Sequence, residues 1–357
     1  MMSVIEATRA YERWLRTELD VVARDLVLKH VLMAEDLFSF MRATFYRWVP
    51  VWHEVCADLV SAPRLLAVGD LHVENFGTWR DAEARLVWGI NDVDEAAPMP
   101  YTLDLVRLAA SALLAKRGEQ LAIAPKEACK AILDGYRRQL AGGGRPFVLE
   151  EDHGTLREAA LSAERDPQHF WQKMAMLPDL RAPAKVRKLL AARLPDPRMK
   201  FRTAHRISGT GSLGRPRYLA LAEWEGAQLA REAKAMLPSA FGWALGRRED
   251  ALHCHTIIAH AVRCHDPFFA FGDRYLLRRL GPHCSRIELA MLPKSRNEKR
   301  LLEAMGRETA NLHLGSNSSV GAVRADLKAR PKGWLLAAAR AMVRATAAEW
   351  KTWKARG

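Results

Sequence analysis

The chain reads as an α+β protein of two lobes, one large and helical, the other small and built on an antiparallel sheet. Three observations predict this. The 357 residues are 49% hydrophobic, ample for a sizeable core. Segments 4–32, 35–48, 103–116, 126–140 and 332–353 carry mixed apolar and charged positions at helical spacing, as does 297–314. Short apolar, strand-like runs cluster with glycines between 199 and 285. Taken in order, 1–198 forms a helical lobe that carries candidate catalytic and metal-binding loops. Residues 199–285 form a β-rich lobe, and 286–357 supply helices that return to the first lobe. Gly142-Gly143-Gly144 and Pro195-Asp196-Pro197 punctuate the middle.

Within the first lobe, 65–68 reads as a short buried strand and 85–90 as its hairpin partner. The stretch between them holds Gly69-Asp70-Leu71-His72-Val73-Glu74-Asn75, and Asp92 follows Asn75 by seventeen residues. An Asp, an Asn five positions on and a further Asp at a neighbouring strand end suit phosphoryl transfer from a magnesium nucleotide. The first takes or orients a hydroxyl proton, and the other two hold the metal that neutralises phosphate oxygens. Asp94 adds a further candidate metal carboxylate. Turn formation and helix capping alone explain an isolated Asp-x4-Asn. The second acidic pair and a helix opening near Asp104 favour a kinase-type catalytic loop.

Gly209-Thr210-Gly211-Ser212-Leu213-Gly214 is a second signal, because glycines admit a phosphate close to backbone amides. A dinucleotide fingerprint needs a helix directly after the glycines. Here Arg215-Pro216-Arg217 intervenes and 218–222 reads as a strand, so the context is strand, loop, strand. Lys234 lies twenty residues beyond the last glycine, on the next expected strand, and is the candidate phosphate anchor. Arg231 is its local rival. Glu249 is its candidate carboxylate partner, with Glu232 and Asp250 as alternatives. Segment 275–280 reads as the strand that enters the hinge between lobes.

These motifs resemble an uncharacterised bacterial family, domain of unknown function 2252, similar to the aminoglycoside and choline kinase branch of the protein-kinase-like fold. The matching segments are 69–77, 90–96, 103–109, 209–214 and 234–239. The resemblance implies Asp70 as catalytic base, Asn75 and Asp92 as magnesium ligands, the glycine loop over the phosphates and Lys234 as anchor. It therefore implies ATP and Mg2+ as nucleotide and cofactor. The catalytic loop precedes the glycine loop by about 140 residues, the reverse of the usual order, so a circularly permuted kinase-like fold is expected. Helix 297–314 is the one that normally precedes a catalytic loop. Val68 stands where related kinases often carry a His, and no glycine directly follows Asp92.

The expected activity is phosphoryl transfer to an unidentified hydroxyl, on a small molecule rather than a protein. The alternatives are nucleotidyl transfer to protein side chains (AMPylation) and a nucleotide-binding pseudokinase that regulates a partner. The net charge of +14 draws anions, but the basic residues are dispersed without a nucleic-acid-binding motif, so nucleic acid is not the expected partner. No export signal or membrane-spanning run is found, and five scattered cysteines without paired spacing suit a reducing cytoplasm. His253, Cys254, His255, His260, Cys264 and His265 suggest transition-metal binding, but a single helix over 250–264 points them in several directions.

Overall fold

Ser3 opens the first helix, α1 (Val4–Glu18), in a computed structural model that describes residues 2–117, 121–150, 153–161, 165–248, 250–284, 286–287 and 297–356. The Ser3 hydroxyl accepts from the Glu6 amide at 3.2 Å while the Ser3 amide donates to Glu6 Oε2 at 2.8 Å, a reciprocal cap. The single helix expected over 4–32 is broken. The chain extends at Leu19, the Val22 amide donates to Gly214 O at 2.9 Å, and α2 (Ala23–Glu35) starts afresh. Segment 35–48 divides as well. Asp36 caps α3 (Leu37–Ala43) by accepting from the Phe38 and Ser39 amides, and α4 (Phe45–Val55) begins after Thr44.

Four short strands follow: β1 (Arg64–Ala67), β2 (Phe76–Arg80), β3 (Leu86–Ile90) and β4 (Ala97–Pro100). The expected hairpin between 65–68 and 85–90 does not form. β3 pairs with β2, and β1 pairs with β4. The reason is local: a tight turn in which Asp81 Oδ1 accepts from the Glu83 and Arg85 amides joins β2 directly to β3. Helices α5 (Tyr101–Arg117) and α6 (Pro125–Ala141) come next, and β5 (Phe147–Val148) adds an edge to β3. Three short helices, α7 (Gly154–Ala160), α8 (Pro167–Ala175) and α9 (Ala184–Ala191), lead into the larger sheet.

That sheet begins with β6 (Arg202–His205), β7 (Arg217–Trp224) and β8 (Ala227–Ala235). After α10 (Ala240–Ala244) and α11 (Cys254–His260) it closes with β9 (Ala270–Gly272) and β10 (Tyr275–Leu280), giving the antiparallel order β6-β7-β8-β10-β9. The single helix expected over 250–264 is only the seven residues of α11. It stops because the Val262 amide donates to Asn311 O and the Arg263 guanidinium lies 4.2 Å over the Trp79 ring. His255, His260 and His265 are exposed while Cys254 is buried. Among the described residues no group of three or more His, Cys, Asp or Glu is placed to hold a metal. All five cysteines are free.

The chain ends in α12 (Glu298–His313), α13 (Asn317–Ala329) and α14 (Trp334–Lys354), which brings the α-helices among the described residues to fourteen. Among those residues no helix is long and apolar enough to cross a membrane.

One continuous core joins α3–α6, α12, α14 and the small strands, around Trp52, Trp88, Tyr136 and Phe147. The five-stranded sheet has an apolar cluster on each face. Met174 and its neighbours in α8 cover Leu219, Leu221, Ala230 and Leu280 on one face, and Val186 and Leu190 of α9 cover Ala220, Ala233 and Leu277 on the other. At the crossing of α6 and α12, glycines replace side chains. A Cβ at Gly135 would sit 2.0 Å from Glu303 O, and one at Gly306 would sit 2.0 Å from Ile132 O.

Gly306→Ala is therefore expected to lower the melting temperature. An overpacking cost of about 1–3 kcal/mol opposes roughly 1 kcal/mol gained in helix propensity. Thermal unfolding followed by circular dichroism checks this; an unchanged or raised melting temperature would show that the two helices separate freely.

Candidate functional site

Asp104, in the first turn of α5, holds the loop that carries Asp70. Its wholly buried carboxylate accepts from the Val68 amide at 2.7 Å and the Gly69 amide at 2.8 Å, and lies 2.9 Å from His313 Nε2 of α12. His313 Nδ1 in turn meets the Tyr136 hydroxyl at 2.8 Å. Gly69 adopts φ +85°, and a Cβ there would lie 2.5 Å from Glu95 O, so only glycine fits this turn. The loop is also tied down by the Val73 amide, which donates to Ser111 Oγ at 3.0 Å.

Asp70 thus projects from a fixed turn into a cleft of about 930 Å³, including space open to solvent. Arg107, one turn after Asp104 on α5, donates from Nε to Asp70 Oδ1 at 2.8 Å and from Nη2 to Met41 O at 2.9 Å. Its guanidinium also lies 4.7 Å over the Trp48 ring. Burial pushes the Asp70 carboxyl up to about 6, against the opposing pull of Arg107. Asp70 Oδ2 is not used by Arg107 and faces the glycine loop: a Cβ at Gly211 would come within 3.2 Å of it.

Asn75 and Asp92 line the same cleft, as do Asp94 and residues Gly209, Thr210, Gly211 and Ser212. Asn75 Oδ1 accepts from the His72 amide at 2.6 Å, which shapes the loop and leaves that oxygen a second lone pair. Asp92 is 40% exposed, and Lys234 and Arg278 hold its carboxyl well below the usual range against the cost of burial. Burial, reinforced by the neighbouring Asp92 charge, pushes Asp94 the other way.

Lys234 stands on β8 with its side chain buried. Its ammonium pairs with Asp94 and lies 3.5 Å from Asp92 Oδ1. These aspartates are the partners the structure gives Lys234. Glu249 lies outside the described residues, Glu232 is held by arginines, and Asp250 is an exposed carboxylate 3.6 Å from Arg248. Arg231, the rival anchor, points to the opposite face of the sheet, where its Nε donates to Arg193 O.

The glycine loop lies between β6 and β7, as expected, but its six residues divide by role. Gly209 to Ser212 face the cleft, and Lys29 Nζ donates to Gly211 O at 3.2 Å. Leu213 is buried, and Gly214 at φ +94° accepts from Val22, with no room for a Cβ beside Leu26 Cδ2 at 2.4 Å. Those two residues seat the loop on α2.

The sequence reading missed several residues in and behind the cleft. Arg107 had a legible signal, sitting one helical turn from Asp104. Arg206, Arg217 and Arg278 had none, because only strand register brings them together. Arg215, which reaches Glu95 Oε1 at 2.6 Å, was likewise hidden.

Residues 21–176 match a family described as an uncharacterized protein conserved in bacteria (DUF2252). The matched stretch holds Asp70, Asn75, Asp92, Asp94 and Asp104; the glycine loop and Lys234 lie beyond it. No curated protein and no solved structure matches the chain.

Asp104→Ala is expected to destabilise the protein by on the order of 3–5 kcal/mol, because it strands two buried amides and a buried imidazole. Urea unfolding measures this. A loss under about 1 kcal/mol would mean that the loop holds its shape without the carboxylate.

Proposed function

We propose that the protein is an ATP- and magnesium-dependent phosphotransferase acting on the hydroxyl of a small molecule, on a circularly permuted kinase-like fold. The observation that carries this reading is the convergence of Asp70, Asn75, Asp92 and a glycine loop on one cleft, with Lys234 against Asp92 and Asp94 of its wall, from segments up to about 160 residues apart. The permutation is supported at the end of α12. There Ser316 Oγ accepts from the Leu66 amide at 3.0 Å, so the chain leaving α12 passes beside the strand that enters the catalytic loop.

Each residue has a role in this reading. Asp70 Oδ2 accepts the acceptor's hydroxyl proton as its oxygen bonds to the γ-phosphorus and the bond to the departing diphosphate breaks. Arg107 orients Asp70 through the other oxygen. Asn75 and Asp92 offer the hard oxygen donors that suit magnesium, which does not require three protein carboxylates. The ion would supply charge neutralisation at the phosphate oxygens. Lys234 exchanges its pairing with Asp94 for the nucleotide phosphates, and the glycine loop lifts from Asp70 to admit them.

A second reading is a nucleotide-binding pseudokinase. It is favoured by the seat of Gly211 over Asp70 and by the neutralisation of Lys234, which together describe a closed cleft. It predicts ATP binding without turnover.

Calorimetric titration with ATP, with and without magnesium, tests the nucleotide site. Wild type is expected to bind in a magnesium-dependent way, and Asp92→Ala to lose roughly tenfold or more in affinity. No binding under any condition would overturn the reading, and equal binding in the variant would remove Asp92 from the metal role. Turnover with terminally and internally labelled ATP then separates phosphoryl from nucleotidyl transfer.

The pH profile tests Asp70. A base whose pKa is raised to about 6 is protonated below that value. Turnover is expected to fall about tenfold per pH unit below 6 and to level off above it. A profile flat between pH 5 and 8 would exclude Asp70 as base.

A further inference from the structure

Strand register places a charged group on the cleft face of the sheet that nucleotide anchoring by Lys234 does not require. Opposed residues of antiparallel strands share a face. Arg217 pairs with Lys234, and Glu232 pairs with Leu219 on one side and Arg278 on the other. Lys234, Glu232, Arg217 and Arg278 therefore look the same way, and Arg206, just past β6, joins them. Three guanidiniums meet one carboxylate: Arg206 Nη1 reaches Glu232 Oε2 at 3.0 Å, while Arg217 Nη1 and Arg278 Nε reach Oε1 at 2.9 and 2.7 Å. Glu232 is wholly buried.

Elsewhere in the cleft, cations and carboxylates are more evenly matched. Arg107 meets Asp70, Arg42 meets Glu74 with Arg286 3.9 Å from the same carboxylate, Arg215 meets Glu95, and Lys234 meets Asp94 and Asp92. Among the described residues, no carboxylate other than Glu232 lies within ion-pair distance of Arg206, Arg217 or Arg278. Glu232 thus pairs directly with three cations, and the longer-range charge of Asp92, which Arg278 and Arg217 help to hold ionised, offsets only part of the excess. Concentrating unmatched charge in a partly desolvated cleft is costly unless an anion completes it. Burial, with the neighbouring Arg217 and Arg278 charges, pushes the Arg206 guanidinium down to about 10, whereas Arg278, against its own burial, is raised by Glu232 and Asp92, so the excess is felt most at Arg206. All three arginines line the cavity beside Ser208 and Gly209, and Arg217 Nη2 donates to Ser212 Oγ at 3.1 Å.

We propose that Arg206, Arg217 and Arg278 form a phosphate-binding subsite around Glu232, which lies two residues, about 7 Å, from Lys234 along β8, with Arg217 beside Lys234 on the neighbouring strand. Its occupant is a phosphate-type oxyanion, carried either by the acceptor or by the donor's polyphosphate chain. Naming the occupant's source rests on the phosphotransferase reading; the subsite itself does not.

The probe is inorganic pyrophosphate, titrated calorimetrically into the full chain without magnesium or nucleotide. Wild type is expected to bind it. Arg206→Gln and Arg278→Gln, each checked for folding by its own melting temperature, are expected to bind at least roughly tenfold more weakly. Pyrophosphate is also expected to raise the melting temperature of wild type more than that of either variant. Because this titration contains neither magnesium nor nucleotide, a failed magnesium role and a failed subsite give different results. Binding that persists when ATP saturates the protein assigns the subsite to the acceptor's phosphate, and competition assigns it to the donor's; either supports the subsite. Wild-type affinity in a folded Arg206→Gln or Arg278→Gln protein, or no pyrophosphate binding by wild type, would overturn it.

Discussion

Lys234 comes from the five-stranded sheet, and Asp92 and Asp94 come from the end of a strand embedded in the helical body. Their contact across the cleft is the constraint on which the arrangement of the site depends. The ammonium is buried and its partners are two carboxylates two residues apart, so neither side is tolerated without the other. The pair also splits the titration of the two acids, holding Asp92 charged while Asp94, deeper and beside a like charge, resists ionisation. One carboxylate thus stays charged for a cation at neutral pH, while the other holds the lysine in this structure.

Around that contact, rigidity comes from buried polar anchors and from glycines that permit close approach. Asp104 collects two loop amides and an imidazole from a distant helix, fixing the Asp70 turn from below. Glu308 of α12 does similar work under β3: Gly89 leaves space for its carboxylate, which accepts from the Ile90 amide at 3.2 Å, two residues before Asp92. Burial pushes Glu308 up to about 7, in keeping with a carboxyl sealed in the core. The same α12 lies flush on α6 through Gly135 and Gly306, so the helix that supports both loops is itself locked in place.

The breaks in the N-terminal helices have the same logic. A continuous helix over 4–32 would satisfy propensity, but it would deny the glycine loop its seat. Breaking at Leu19 frees the Val22 amide for Gly214 and turns Lys29 toward Gly211. Local preference favoured one helix, and two long-range hydrogen bonds with close packing against Leu26 outweighed it. Asp36 and Thr44 make the second break in the same region, which lets α3 lie against the loop tip.

By itself, the sequence determined the mixed helical and antiparallel composition, the position of most long helices, and strands near 218–222, 228–234 and 275–280. It also determined which short motifs carry Asp70, Asn75, Asp92, Lys234 and the glycines. These are local properties, set by periodicity over a few turns, by turn residues and by spacing along one segment. The Asp81 turn that took β3 from β1 is local as well, but tertiary structure alone paired β1 with β4. It alone gave Lys234 its aspartate partners, and it alone gathered three arginines from separate segments around Glu232. Such choices depend on register and on burial of charge, energies that exist only once distant segments meet in a low-dielectric interior.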